Sequence, residues 1–228
     1  MMRRFSLAFL MLILCAASLS AQRRQRIFTS DPDYWVSGSF AGISGQGVND
    51  GKSASFWDFG NSTNWQYAAS IEKTLTGGSS FGVTGSFARV PFVYYGPAVP
   101  IPGGNGGTCN GCNAHLDMTT LLATFHFGAG TGFHQIIQFN GGVVNYANLK
   151  TQSGGVKLAG GSNTDPLFSI GYGIGYGFDD RTQLEFVPEY GIAIHERSGL
   201  SNDVSNTNRM SSFKLAFRRG FGTRSLGR

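Results

Sequence analysis

Residues 182–195 read TQLEFVPEYGIAIH. The even positions Leu184, Phe186, Pro188, Tyr190, Ile192 and Ile194 are apolar. The odd positions Gln183, Glu185, Glu189, Gly191, Ala193 and His195 are polar or small, and Val187 alone breaks the rule. A strand sends alternate side chains to opposite faces, whereas a helix would smear this pattern around its circumference. The stretch is therefore a strand with one oily and one polar face. Residues 167–178 repeat it, with Phe168, Ile170, Tyr172, Ile174, Tyr176 and Phe178 set against Ser169, Gly171, Gly173, Gly175 and Gly177. Near the C-terminus, Phe213, Leu215 and Phe217 alternate with Ser212, Lys214, Ala216 and Arg218.

Weaker alternation marks five further strands, around 34–40, 65–75, 81–87, 120–127 and 133–140. The phase of the last shifts at Gly141-Gly142, which predicts a bulge. Eight strands result. Their connections alternate between long (45–63, 95–115, 147–163, 196–208) and short (76–80, 129–132, 179–181). Short turns on one rim and long loops on the other are the pattern of outer-membrane barrels. In hydrocarbon every backbone N–H and C=O must find a partner, so a spanning sheet must close on itself. The predicted fold class is all-β: a closed antiparallel eight-stranded up-and-down transmembrane barrel, with about 9–11 residues of each strand crossing the wall.

The alternation also fits a soluble barrel that buries its oily face around a ligand. Two features favour lipid outside. The apolar set is too bulky for the interior of eight strands, which side chains barely fill, and the glycine face of 169–177 would leave water a nearly bare backbone. The reading therefore places Phe168, Ile170, Tyr172, Ile174, Leu184, Phe186, Tyr190, Phe213, Leu215 and Phe217 toward lipid. Tyr34, Trp65, Tyr67, Tyr172, Tyr176 and Tyr190 become candidates for interfacial girdles. Composition agrees: 34 of 228 residues are glycine, 13% are aromatic and only 14% are charged, too apolar for a disordered chain.

Residues 1–21 carry Arg3 and Arg4, an apolar run from Phe5 to Leu14 that is too short to span a bilayer, and Leu19-Ser20-Ala21 before Gln22. This is the pattern of a cleaved signal peptide, with Cys15 inside its apolar region. The remaining divisions are a periplasmic segment at 22–33 bearing Arg23, Arg24 and Arg26, the barrel at 34–217, and a basic tail at 218–228. Losing Arg3 and Arg4 from 18 basic residues, against 13 acidic ones, leaves a net charge of +3, too mild to argue for nucleic acid. Removing Cys15 leaves Cys109 and Cys112, an even pair that after export predicts a disulfide at the tip of a Gly/Pro-rich loop. A zinc or redox site would need more ligands or a strand–helix setting, and no metal site is assigned.

On the polar face, Glu185 with Arg218 and Glu189 with Lys214 share one register, each pair summing to 403, and are predicted to pair inside the lumen. His126 and His134 flank a short turn and would fill the same end. Phe56, Trp57 and Phe59 in the first long loop are candidates for a binding knob, or for packing onto the barrel mouth.

The signal peptide, the eight-strand count, the GGVVNY of 141–146 and the aromatic final strand resemble the small eight-stranded outer-membrane β-barrel proteins of the OmpX and OmpA-barrel type, over about 30–221. The resemblance implies a monomer without cofactors in the outer membrane, with both termini in the periplasm. It implies lipid and lipopolysaccharide as neighbours, assembly by barrel-assembly machinery and periplasmic chaperones, and Phe217 or Phe221 as the terminal aromatic of the assembly signal. The implied role is structural, adhesive or surface-interacting through loops 45–63 and 95–115. The alternatives are a narrow pore or transporter of small hydrophobic compounds and a lipid A-modifying enzyme. For the last, His195, Ser198, Ser201 and Asn202, near Glu189 and Glu196, are similar to the site of lipid A deacylases of the PagL type. His195 and Ser198 lie three apart, however, and a strand would put them on opposite faces.

Overall fold

The computed structural model describes residues 31–60, 63–97, 109–160 and 163–223. The signal peptide, the rest of 1–30 and the last five residues of the tail fall outside it. Ten strands form in order: β1 (Tyr34–Gly45), β2 (Gly47–Asp50), β3 (Ser55–Asp58), β4 (Asn64–Thr74), β5 (Ser79–Tyr95), β6 (Cys112–Phe127), β7 (Gly132–Thr151), β8 (Asn163–Asp179), β9 (Thr182–Ile194) and β10 (Thr207–Phe221). Eight of them close an antiparallel wall, each pairing with its neighbour, with β1 against β10 and β5 against β6 completing the ring. The remaining two, β2 and β3, form a hairpin whose second strand adds onto the top of β5, with Phe56 opposite Tyr95.

The registers fix the geometry of closure. From Ile174 the pairings lead through Phe186, Leu215, Phe40, Tyr67, Phe87, Thr119 and Asn145 back to β8 at Thr164. One circuit climbs from residue 174 to residue 164, a shear of 10 for eight strands. Such a wall tilts its strands by roughly 40° and has a bore only wide enough for side chains to fill. Glycine makes this possible where strands crowd: a Cβ at Gly173 would collide with the carbonyl oxygen of Phe186. The bulge expected at Gly141-Gly142 is not there. The register is continuous through both residues and shifts instead between His115 and Asp117, opposite a β7 segment in which Asn148 takes a φ of 56°.

Strand lengths exceed the expectation. The wall strands run from 11 residues in β4 to 20 in β7, and the added length stands mainly on the long-loop side. The reason lies in a change of phase within single strands. In β5 the outward apolar residues are Phe81, Val83 and Phe87, all odd; from residue 88 the buried apolar residues are Ala88, Val90, Phe92 and Tyr94, all even, while Arg89 faces out. In β6, Phe127, Phe125 and Leu121 face out, whereas Met118, Leu116 and Ala114 are buried. In β7, Ile137, Phe139 and Val143 face out, whereas Val144, Tyr146 and Leu149 are buried. Below the switch the barrel is apolar outside and polar inside, the arrangement lipid demands. Above it the barrel is polar outside with a dry core, the arrangement water demands. The long-loop end is thus a small water-facing domain built on the extended wall.

Two boundaries move. Strand β10 runs to Phe221, so the wall does not stop at residue 217, and Arg218, expected in the lumen opposite Glu185, belongs to the wall and not to the tail expected from residue 218. About half of 45–63 is strand, in the end of β1 and the β2–β3 hairpin, and of the described part of 95–115 the wall takes Tyr95 and residues 112–115.

Candidate functional site

The interior is stacked in three layers. At the short-turn end Arg218, 2% exposed, is the hub. Its Nη2 donates to Glu72 Oε2 at 2.6 Å and to Ser80 Oγ at 3.0 Å, and its Nη1 donates to Glu185 Oε1 at 3.1 Å. His126 Nε2 lies 3.2 Å from the same Glu185 oxygen, and the guanidinium sits 4.8 Å from the centre of the Trp35 ring. Ser70 and Ser80 donate to the two oxygens of Glu72, at 2.9 and 2.5 Å. Paired and hydrogen-bonded charges of this kind are the form in which ions survive burial. The layer fills the bore at this height with buried side chains.

The middle layer carries polar groups on both walls, with apolar side chains among them. Glu189 accepts from Ser169 Oγ at 2.6 Å and lies 3.5 Å from Lys214 Nζ, which also donates to Gln138. Ser169 in turn accepts from Asn140 Nδ2 at 3.0 Å. A ladder of Gln66, Ser86 and Thr120 runs along the opposite wall, with links of 2.8 and 2.6 Å. Apart from Gln138, these groups line a cavity of about 60 Å³ together with Ile43, Met118, Leu122, Leu167 and Met210.

The top layer is the dry core. Trp57 is fully buried between Tyr146 (5.8 Å between ring centres), His195 (5.6 Å) and Phe92 (6.4 Å), and its Nε1 donates to Ser55 Oγ at 2.9 Å. Phe59 packs edge-on against Phe92 at 5.9 Å. A buried polar knot lies beside the tryptophan. His195 Nδ1 is 2.7 Å from Asp165 Oδ2 and its Nε2 is 3.2 Å from Asn163 Nδ2. Asp50 Oδ1 lies 3.8 Å from the same Nε2, and Asp50 is also held by the Lys52 amide and the Ser53 hydroxyl at 3.0 and 2.6 Å. At the rim Lys52 Nζ meets Glu196 at 2.6 Å, a hydrogen bond that raises the ammonium above its ordinary range. The knot staples the hairpin to β8 and to the end of β9.

Glu185 meets Arg218 and Glu189 meets Lys214, but the register differs from the expected one: β9 and β10 pair with residue numbers summing to 401, so Gln183 stands opposite Arg218 and Val187 opposite Lys214. Each ion pair is diagonal by two residues, a reach that long side chains span. Glu72, Ser80 and His126 complete the hub. Glu72 is legible as a polar residue in an alternating strand but not as a partner of Arg218, which lies 146 positions away. His134 is half-buried at the same end, its Nδ1 3.1 Å from the Gly132 carbonyl. Phe168, Ile170, Tyr172, Ile174, Leu184, Phe186, Tyr190, Phe213 and Phe217 all stand on the exposed outer face, from 38% for Leu184 to 60% for Phe213, and Leu215 is half-covered between neighbours on that face.

Cys109 and Cys112 are joined, with Cα atoms 5.2 Å apart, but not at a loop tip. Cys109 is fully buried, and Cys112 opens β6 and packs on the dry core. Of the two readings of the first long loop, packing onto the barrel mouth holds for Trp57 and Phe59: both are buried, Trp57 on the inward face of β3 with Ser55, and Phe59 just after that strand. Phe56 faces outward and stacks on Tyr95 at 6.3 Å. The PagL-like set is not assembled: His195 bonds to Asp165 and Asn163, while Ser201 lies in an exposed loop donating to Asp203 at 2.6 Å. Among the described residues, no group of three or more His, Cys, Asp or Glu is arranged to hold a metal ion.

Fold and lumen together define a small transmembrane β-barrel of the eight-stranded outer-membrane type. Among solved structures, the chain is similar to Neisserial surface protein A (NspA), with a TM-score of 0.53 at 10% identity over 83% of this chain and 97% of that one. It is also similar to the outer membrane protein OprG of Pseudomonas aeruginosa, with a TM-score of 0.42 at 14% identity over 85% and 96% of the two chains. No family model and no curated protein sequence matches the chain.

Proposed function

We propose that the protein is an integral outer-membrane barrel that works by surface interaction, presenting a rigid platform on its long-loop side, with that side outside the cell and both termini in the periplasm. The observation that carries this reading is the filled lumen. An ionic layer around Arg218 and an aromatic layer around Trp57 close the bore at two heights. A conducting barrel needs a continuous wet path, whereas a platform needs a stiff base. The wall extended above the apolar belt, the stapled hairpin and the Cys109–Cys112 bridge supply stiffness.

The transport alternative draws on the cavity beneath the dry core. At about 60 Å³ it is well under the ~150 Å³ that holds a benzene ring in an apolar protein cavity. Carriage of a hydrophobic compound would need the top layer to unpack. Two measurements test the proposal. In planar bilayers the purified protein is expected to show no steady unitary currents; such currents would overturn it. Cells displaying the protein are expected to lose adherence when the exposed 197–203 segment is replaced by a Gly/Ser segment of equal length, with the barrel intact on a detergent gel. Unchanged adherence would remove that loop from the reading.

A further inference from the structure

The outer wall carries an uneven distribution of charge just above the apolar belt. Over β5, β6 and β7 the outward residues past the phase switch include Arg89, His115 and Lys150, and Lys157 pairs with Lys150 across an isolated bridge. Just above the belt the other strands show Ser44, Pro166, Thr164, Ile194 and a lone Arg209, and at the rim Lys52 is paired with Glu196. Three basic side chains thus sit on three neighbouring strands of the eight, with Lys157 beside them on the segment after β7. Two acids share the area. Asp117 is held by Arg89 through Nε and Nη2, at 2.8 and 3.2 Å, and by Asn148 Nδ2 at 2.8 Å; Asp58, at the edge on β3, caps the amide of Gly60 at 2.8 Å. Asp117 therefore orients Arg89, whose side chain is 64% exposed and keeps its Nη1 edge for a second anion. Among the described residues, neither Lys150 nor Lys157 has an ion-pair partner.

Height decides what this strip would meet. A strand tilted by roughly 40° gains roughly 2.5 Å of height per residue. Arg89 lies two residues past Phe87, so it stands roughly 5 Å above the belt, where phosphate begins in a lipid leaflet. Lys150, six paired positions past Val143 once the bulged residue is discounted, stands roughly 15 Å above it. The strip climbs from Arg89 through His115 to Lys150 and Lys157. It fits a tall headgroup better than a compact one.

We infer that the face formed by Arg89, His115, Lys150 and Lys157 is a binding site for a phosphorylated glycolipid. Its acyl chains would lie on Phe87, Leu121, Phe139 and Val143. A phosphate at the base of the headgroup would take the free edge of Arg89, and anionic or hydroxyl groups higher up would take the lysines. Arginine suits the lower position because its planar fork binds phosphate oxygens directionally, while lysine serves as a mobile point charge.

The test uses the full-length protein in detergent micelles doped with diphosphoryl lipid A or with the same lipid stripped of both phosphates, read by native mass spectrometry of retained lipid. The protein should retain the phosphorylated form at least about tenfold better. The Arg89→Gln/Lys150→Gln/Lys157→Gln variant should lose most of that preference. A Lys52→Gln/Arg209→Gln control on the opposite sector should keep it. Equal retention by the triple variant and the parent, or equal loss in the control, would overturn the inference. So would displacement by millimolar inorganic phosphate, which would mark a site for a soluble anion. Unboiled gel migration confirms that each variant is a closed barrel. The inference takes from the functional proposal only that the long-loop side is external. Proteolysis of 197–203 on intact cells tests that separately, since a reversed barrel would still bind the lipid once purified.

Discussion

Replacing Arg218 by methionine removes a cation that two carboxylates share. Glu72 and Glu185 are each 3% exposed, and without the guanidinium they keep as close partners the serine hydroxyls on Glu72 and His126 beside Glu185. Breaking a buried pair from one side costs about 3–5 kcal/mol, because the surviving charge stays desolvated. Removing the whole set is another matter, since buried ions replaced by neutral groups of similar volume are often tolerated. The Arg218→Met variant should therefore lose about 3–5 kcal/mol in urea titrations in detergent, followed by tryptophan fluorescence and by the shift between folded and unfolded gel bands. The triple variant Arg218→Met/Glu72→Gln/Glu185→Gln should recover at least half of that loss, a coupling that only groups in direct contact produce. A cost under about 1 kcal/mol for the single change, or a triple variant as unstable as the single one, would refute the claim that these ions depend on one another.

Three further outcomes are expected. Trp57→Ala should empty the centre of the dry core and cost about 3–5 kcal/mol, measured as a lower urea midpoint. On its own it should leave bilayer currents silent, whereas its combination with Arg218→Ser, which breaches both layers, should conduct. Gly173→Ala should destabilise by about 1–3 kcal/mol, or impair refolding, because the added methyl meets the Phe186 carbonyl; Gly38→Ala, whose added methyl would have nothing within 4 Å, should refold like the parent. Reducing Cys109–Cys112, or changing both residues to serine, should lower stability on the order of 2 kcal/mol by the loop-entropy relation, read as a lower melting temperature in the presence of dithiothreitol.

The alternation at 167–178 and 184–194 carries the fold because lipid imposes a rule on every second residue of a spanning strand. It also sets the face of Glu185, Glu189, Lys214 and Arg218. Facing is a property of one strand, but register is a property of two, and a shift of two residues leaves every side chain on its own face. That is why a sum of 403 fits the alternation as well as the observed 401. The partners supplied from across the bore, Glu72 on β4 and His126 on β6, leave no local trace, since they meet Arg218 only after the ring closes. The hairpin at 47–58 is hidden for a different reason. Its strands are four residues each, too short for periodicity to distinguish them from loop.

The signal that could have placed the membrane boundary is present in ARVPFVYY, residues 88–95. Apolar residues fall on odd positions through Phe87 and on even positions from Ala88 to Tyr94, with no break in pairing against β6 to account for the change. A bulge would switch the phase by turning the chain over. Here the chain keeps its facing, and what changes is the solvent on the outside, from hydrocarbon to water. The same crossing occurs in β6 between Leu121 and Met118 and in β7 between Val143 and Val144, and Leu121 and Val143 are themselves cross-strand partners. Three strands thus change character along one contour of the barrel, as a planar boundary requires and as unrelated local accidents would not. Above that contour the interior must be dry and the exterior polar. The aromatic layer inside and the basic strip on the outer wall therefore have a common origin: the barrel continues past the lipid and must then satisfy water.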